Sequence, residues 1–213
     1  ASYLYKDTIT KIEIVQGEGG VIALNKEFVD AVNQICADND ILLIADEVQT
    51  GVGRTGKFLA SEHYNIKPDI TTLAKGLGGG LPIGAVLLRD KVESVLTYSD
   101  HGTTYGGNPV VCAGAEVVVD CIDNELLSDV SNKAQYIKDK FSQCEEVLSV
   151  SGLGLMMGIT LKNKTAKEVV EKAVQNYVLP LTAKEKVRLL PPLTITYDEI
   201  DKGLDILIKI LSE

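Results

Sequence analysis

Two apolar runs that end on opposite charges constrain this chain more than any other feature. Ile41-Leu42-Leu43-Ile44-Ala45 runs into Asp46 and Glu47, and Ile70-Thr71-Thr72-Leu73-Ala74 runs into Lys75. A continuous apolar run such as the first suits a strand buried on both faces of a parallel sheet. A third strand is expected over Ile83 to Leu88, after the flexible glycine turn Gly76-Leu77-Gly78-Gly79-Gly80. Ahead of them, Lys26 to Asn39 places Phe28, Val29, Val32, Ile35 and Cys36 on one helical face, with Asn25 as the N-cap. Pro109 to Asp123 reads as a long, mostly apolar helix through Val110, Val111, Ala113, Val117, Val118 and Cys121. Strands alternating with helices predict an α/β fold.

The texture changes after Asn124. Leu126 to Cys144 reads as a more charged amphipathic helix with Val130, Ala134, Ile137 and Phe141 facing inward. Strands follow at Val147 to Val150 and Leu155 to Leu161, around a glycine turn, and Lys167 to Tyr177 is again amphipathic. The last helix opens on a capping box, Thr196 with Glu199, and carries Ile200, Leu204, Leu207, Ile208 and Leu211. We expect two domains, residues 1–124 and a smaller α/β domain over residues 125–213.

A net charge of −9 and a pI near 4.8 argue against nucleic acid and anionic membrane surfaces as partners. No apolar stretch is long enough to span a bilayer, and the N-terminus has no basic-then-apolar signal pattern. Cys36, Cys112, Cys121 and Cys144 form no C-x-x-C pair and have only His63 and His101 for company. That spacing predicts no metal site, but reduced thiols in a cytoplasmic protein.

The charged ends of the apolar runs carry the chemistry. A lysine buried there holds its charge poorly, which makes its amine a competent nucleophile toward an aldehyde. A carboxylate ending a neighbouring strand can keep a pyridine nitrogen protonated. Together these are the groups with which proteins use pyridoxal 5′-phosphate (PLP). Gly51-Val52-Gly53-Arg54-Thr55-Gly56 also matches the dinucleotide pattern G-x-G-x-x-G, in the wrong context. Asp46 to Thr50 separate it from the strand, and Pro68 arrives too soon for a crossover helix, which disfavours a nicotinamide oxidoreductase.

Five separated motifs then agree in order with one family. Asp46-Glu47-Val48-Gln49-Thr50-Gly51-Val52-Gly53-Arg54-Thr55-Gly56, with Lys75-Gly76 and Pro82-Ile83-Gly84-Ala85, resembles the PLP signature of class III (ornithine/acetylornithine-type) aminotransferases. Gln16-Gly17-Glu18-Gly19-Gly20, His101 to Pro109 and Arg188-Leu189-Leu190-Pro191-Pro192-Leu193 extend the resemblance over nearly the whole chain. It implies the fold-type I PLP-dependent transferase architecture, with residues 1–124 as part of the large domain and 125–213 as the small one. It also implies transfer of an amino group from N2-acetylornithine to 2-oxoglutarate, giving glutamate, by a homodimer. Ornithine, 4-aminobutyrate or succinylornithine as donor are the alternatives within the family.

The resemblance assigns roles residue by residue. Lys75 is the catalytic lysine that links to the cofactor and then shuttles a proton. Asp46 is the partner of the pyridine nitrogen, Val48 packs on the ring, Gln49 reaches the ring hydroxyl, and Glu47 supports this cofactor-binding stretch. Thr104 reaches the cofactor phosphate of a neighbouring subunit and Thr103 faces substrate. Arg188 clamps the substrate carboxylate, and Glu18 pairs with Arg188 when one substrate is bound and releases it for the other. Members of the family are longer, and the N-terminal half, with its phosphate-cradling turn and stacking aromatic ring, is not recognisable here. The stretch Ala1 to Lys11 is more polar than the strand expected before Gln16. The chain thus resembles a fragment, and a non-catalytic folded piece of such an enzyme is the remaining alternative.

Overall fold

A computed structural model describes residues 9–213. The chain divides into two compact units. One comprises the residues up to Ile14, Leu24–Val52 and Lys57–Asp123; the other gathers Val15–Ala23, Gly53–Gly56 and Asn124–Glu213. The second unit is therefore built from three separate stretches of chain.

In the first unit, β1 (Ile9–Ile12), β4 (Leu42–Asp46), β5 (Ile70–Leu73) and β6 (Ala85–Leu88) form a sheet in the order β1-β4-β5-β6. The first three are parallel and β6 closes the edge antiparallel. Strand β1 begins inside the stretch Ala1 to Lys11 read as too polar for one and ends one residue past it; residues 1–8 of that stretch lie outside the described residues. Helix α1 (Lys26–Asp38) supplies the crossover from β1 to β4, and the Asn25 side chain accepts from the Phe28 N–H as expected of an N-cap. No α-helix follows Gly51 to Gly56, only successive turns and a 3₁₀ turn over Ala60–Tyr64. Strand β4 is fully buried at Leu43 and Ala45 but only half-buried at Leu42, Ile44 and Asp46, so its side chains are not enclosed alike on both faces.

Helix α2 (Pro109–Cys121) forms where expected, capped by Asn108, with Pro109 at its first turn where a missing N–H is harmless. Its apolar composition does not make it a buried helix. Only Ala115 is buried, while Val110 and Val117 are 70% and 62% exposed. Ala115 joins Val52, Leu73 and Leu77 in a small core, with Val118 and Ile122 alongside. One narrow stripe packs and the rest of the helix stays open within its unit. Phe28 and Ile35 on α1, read as inward-facing, are likewise exposed; Val29 and Cys36 take the buried positions.

The second unit holds an antiparallel sheet in the order β7-β8-β10-β9, formed by β7 (Val147–Leu153), β8 (Met156–Leu161), β9 (Leu181–Ala183) and β10 (Lys186–Leu189). Helices α3 (Asn124–Phe141), α4 (Ala166–Gln175) and α5 (Tyr197–Ser212) join it in one core that includes Val130, Phe141, Ile159, Val169, Leu204 and Leu207. Val130, Ala134, Ile137 and Phe141 are all buried, as the spacing of α3 predicts. Both α4 and α5 open on capping boxes, Thr165 with Glu168 and Thr196 with Glu199. A two-stranded hairpin of β2 (Val15–Gln16) and β3 (Ile22–Ala23) belongs to this unit and packs Val21 against Met156. Half-buried Arg54 donates to the carbonyls of Leu155 (3.1 Å) and Pro191 (2.5 Å), and burial pulls its guanidinium pKa below the ordinary value.

Three glutamates of this unit are held below the ordinary glutamate value by donated hydrogen bonds. The Lys164 and Asn163 N–H groups do this at Glu146, the Thr165 hydroxyl and N–H at Glu168, and the Thr196 N–H and hydroxyl at Glu199. Their folded pKa values lie below 4.5, the unperturbed value, so their contribution is complete above about 4.5 and is lost as pH falls through the folded values. An E146Q/E168Q/E199Q variant should show a flatter dependence of urea-unfolding midpoint on pH over that acid window; an unchanged slope would refute the assignment.

Candidate active site

The parallel pairing of β4 with β5 sets Asp46 opposite Thr72, so that both strands end at the same edge of the sheet. Ligands of open α/β sheets bind at such carboxyl ends. Asp46 is anchored there through one oxygen and left adjustable through the other. Oδ1 accepts from the Val48 N–H and the Thr72 hydroxyl, each at 3.2 Å, while Oδ2 accepts from the Lys11 ammonium at 3.1 Å. Burial is the largest single influence and pushes the carboxyl pKa up. The hydrogen bonds from Lys11, Val48 and Thr72, with the Lys11 charge, together outweigh it and hold Asp46 below the ordinary aspartate value. The side chain is a ready anion.

Glu47, its neighbour, is fully buried and does different work. Its Oε2 accepts from the Thr50 hydroxyl (2.6 Å) and the Ala60 N–H (2.8 Å), and its Oε1 from the Ser61 N–H (2.8 Å). The same carboxylate therefore ties the turn after β4 to the 3₁₀ turn at residues 60–64, and Gly51 N–H bonds the Glu47 carbonyl. Val48 and Gln49 sit half-buried in the turn between these two acids and Gly51. A Cβ at Gly51 would lie 2.6 Å from a Leu73 methyl, so glycine is required by the packing of the turn on β5. Replacing Glu47 with Gln swaps one acceptor oxygen for a donor against buried N–H groups. We expect a loss of about 1–3 kcal/mol, read from chemical denaturation, with Asp-like shortening (Glu47→Asp) no better.

Lys75 follows β5 by two residues and opens a 3₁₀ turn over Lys75–Gly78. Its side chain is exposed, not buried as the apolar run before it suggests. The reason is local: the strand ends at Leu73, and Lys75 sits at φ +48°, a left-handed conformation that turns the chain out of the sheet. A non-glycine residue held there carries strain of about 1–3 kcal/mol. Two of the glycines that follow are packed, while Gly80 is open. Gly78 is buried, and a Cβ at Gly79 (φ +56°) would come within 2.8 Å of a Val118 methyl. Helix α2 thus fixes the turn that presents the lysine.

Thr103 and Thr104 lie in an exposed loop ahead of α2, where the Thr103 hydroxyl accepts from the Gly106 N–H at 3.1 Å. In the second unit, Arg188 on β10 donates through Nη1 to Glu18 Oε1 at 2.8 Å, across a separation of 170 residues. Arg188 is buried, its Nε has no hydrogen-bond partner, and Glu18 lies in the exposed turn of the β2–β3 hairpin. An arginine with one arm engaged and a buried N–H to spare suits a carboxylate ligand. Asp46, Glu47, Val48, Gln49 and Lys75 thus gather in the first unit, and Glu18 with Arg188 in the second. Lys11 and Thr72 as partners of Asp46 escaped the sequence reading, because only the strand pairing reveals them. Among the described residues, no cluster of three or more metal-ligating groups occurs, and no helix is long and apolar enough to cross a membrane.

The family model for Aminotransferase class-III matches residues 8–211. The acetylornithine aminotransferase of Haemophilus ducreyi is 47% identical over 203 residues, covering 95% of this chain and 52% of that protein. Among solved structures, the N-acetylornithine aminotransferase of Stenotrophomonas maltophilia is 34% identical with a TM-score of 0.88, covering 96% of this chain and 56% of that one. The ornithine aminotransferase of Toxoplasma gondii, with partial occupancy of PLP at its active site, is 32% identical with a TM-score of 0.87, covering 95% and 50%. The chain spans about half the length of the curated relatives it matches. Agreement in sequence and in backbone runs through both compact units, and the chain belongs to the class-III aminotransferase family.

Proposed function

We propose that this chain serves in a PLP-dependent aminotransferase that moves the amino group of N2-acetylornithine to 2-oxoglutarate. The products are N-acetylglutamate 5-semialdehyde and glutamate, formed in a ping-pong sequence that belongs to arginine biosynthesis. The observation that carries the chemistry is the β4–β5 register, which brings the Asp46 carboxylate and the strained turn of Lys75 to one sheet edge. Names of relatives at 41–47% identity support the donor.

The residues fit the cofactor. Asp46 is ionised and keeps one oxygen on an exchangeable partner, which suits a protonated ring nitrogen. When bound, PLP supplies an electron sink for the carbon that carries the transferred amino group. Lys75, with its exposed amine, would hold the cofactor through its aldehyde and would take and return the proton at that carbon. Val48 would lie against the ring and Gln49 would serve its hydroxyl, while Glu47 keeps the turn that carries both in place. Thr104 would reach the phosphate held by a second subunit and Thr103 the substrate, so the working form in this reading is a homodimer. Arg188 takes a substrate carboxylate, and Glu18 neutralises Arg188 when the substrate brings none.

In this reading residues 1–124 contribute to the large PLP-binding domain and residues 125–213 form the small one. All four cysteines are free, which supports a reducing, cytoplasmic setting. Ornithine as the donor is the second reading, supported by the backbone likeness to the ornithine enzyme. Parallel assays with both donors separate the two.

With PLP added, the wild-type chain should give a visible absorption band that borohydride bleaches, and Lys75→Ala should lack it. A folded chain with no such band would mark it as a non-catalytic piece. Where the full activity is present, Lys75→Ala should lower kcat by about 10²–10⁴-fold, the range for a lost proton-transfer group. Arg188→Lys keeps the charge and loses the two-pronged geometry. We expect KM for 2-oxoglutarate to rise about tenfold or more while kcat changes less, and an unchanged KM would remove Arg188 from substrate binding.

A further inference from the structure

We propose that Lys11 is a placeholder cation at Asp46: its ammonium holds the one carboxylate oxygen that a protonated ring nitrogen would take, and it yields that oxygen when the cofactor seats. This rests on the PLP reading above and adds to it a residue that tunes cofactor affinity.

The division of labour between the two oxygens carries the inference. Oδ1 is held by a backbone N–H and by a hydroxyl on the adjoining strand, donors that cannot leave without disturbing the turn or β5. Oδ2 is held by a side chain 60% exposed, at the end of a long flexible stem. Lys11 stands on β1, the outermost strand of this sheet among the described residues, in register with Ile44, hence on the same face as Asp46, two residues further along β4. Exposed pairs of this kind are weak and exchange readily. The pair is also superfluous for joining the strands, because a parallel ladder from Ile9 to Ile12 already binds β1 to β4. What the ammonium does is keep the carboxylate charged and aimed before the ring arrives. Its cost is competition, since the incoming N–H must displace one cation and then sit beside it.

Equilibrium titration with PLP, followed by absorbance rather than turnover, tests this on the wild type, Lys11→Met and Lys11→Arg. Lys11→Met should bind PLP about fivefold more tightly, the size expected for release of an exposed ion pair. Lys11→Arg keeps a cation at Oδ2 and should match the wild type. The gap between Lys11→Met and wild type should narrow at high salt, which screens the pair in the wild type. A purely structural role would instead lower the thermal midpoint of Lys11→Met and leave its affinity alone. Equal affinities overturn the placeholder and leave the PLP reading standing. Weaker binding by Lys11→Met also overturns it, by making Lys11 a ligand in its own right. If none of the three chains binds PLP, the cofactor reading falls and this inference falls with it.

Discussion

The parallel pairing of β4 with β5 is the constraint on which the rest of the first unit depends. Neither strand is long, and neither carries a functional group in its interior. What matters is where they stop. The register that puts Asp46 beside Thr72 lets the strand-end threonine orient the carboxylate, and it places the turn of Lys75 directly beyond the same threonine. A slip of one residue would send both side chains to the opposite face. The apolar bodies of the strands secure that register, so the chemistry at their ends is positioned by residues that take no part in it.

Two neighbouring acids show how little sequence distance is needed for two unlike tasks. Asp46 and Glu47 point to opposite sides, as successive residues at a strand end must. One keeps an oxygen on a mobile partner near solvent; the other has both oxygens engaged by buried donors. The buried acid fixes the turn, and the fixed turn supplies the Val48 N–H that holds its half-buried neighbour. Rigidity and availability are thus divided between adjacent residues.

Much of this was legible in the sequence, for identifiable reasons. Helices α3 and α5 combine a 3.6-residue apolar period with polar outer faces, and α5 adds a capping box, so type and position follow, as does the buried face except that α5 buries Ile210 and leaves Ile208 half-buried. Helix α2 was legible as a helix but not in its burial, because valines on every side give no preferred face. The hairpins β2–β3 and β9–β10 have strands of two to four residues, too short for alternation to register. Lys75 was found by its neighbours, yet its exposure depended on a single left-handed residue that no periodicity encodes. Glu18 and Arg188 were linked only by resemblance to a family; no local signal joins residues so far apart in the chain.

Arg54 carries a consequence for the order of events as the chain folds. Its two acceptors lie 101 and 137 residues downstream, and a Cβ at Gly154 would come within 2.6 Å of the Arg54 carbonyl oxygen. The second unit therefore closes around a short early segment that must wait for strands made much later. Helices α3, α4 and α5 can form from local contacts, but the unit is completed only when residues 15–23 and 53–56 return to it. The search is a long one in contact order, and such closures are slow. The segment around Arg54 thus becomes structured only after Leu155 and Pro191 have been made.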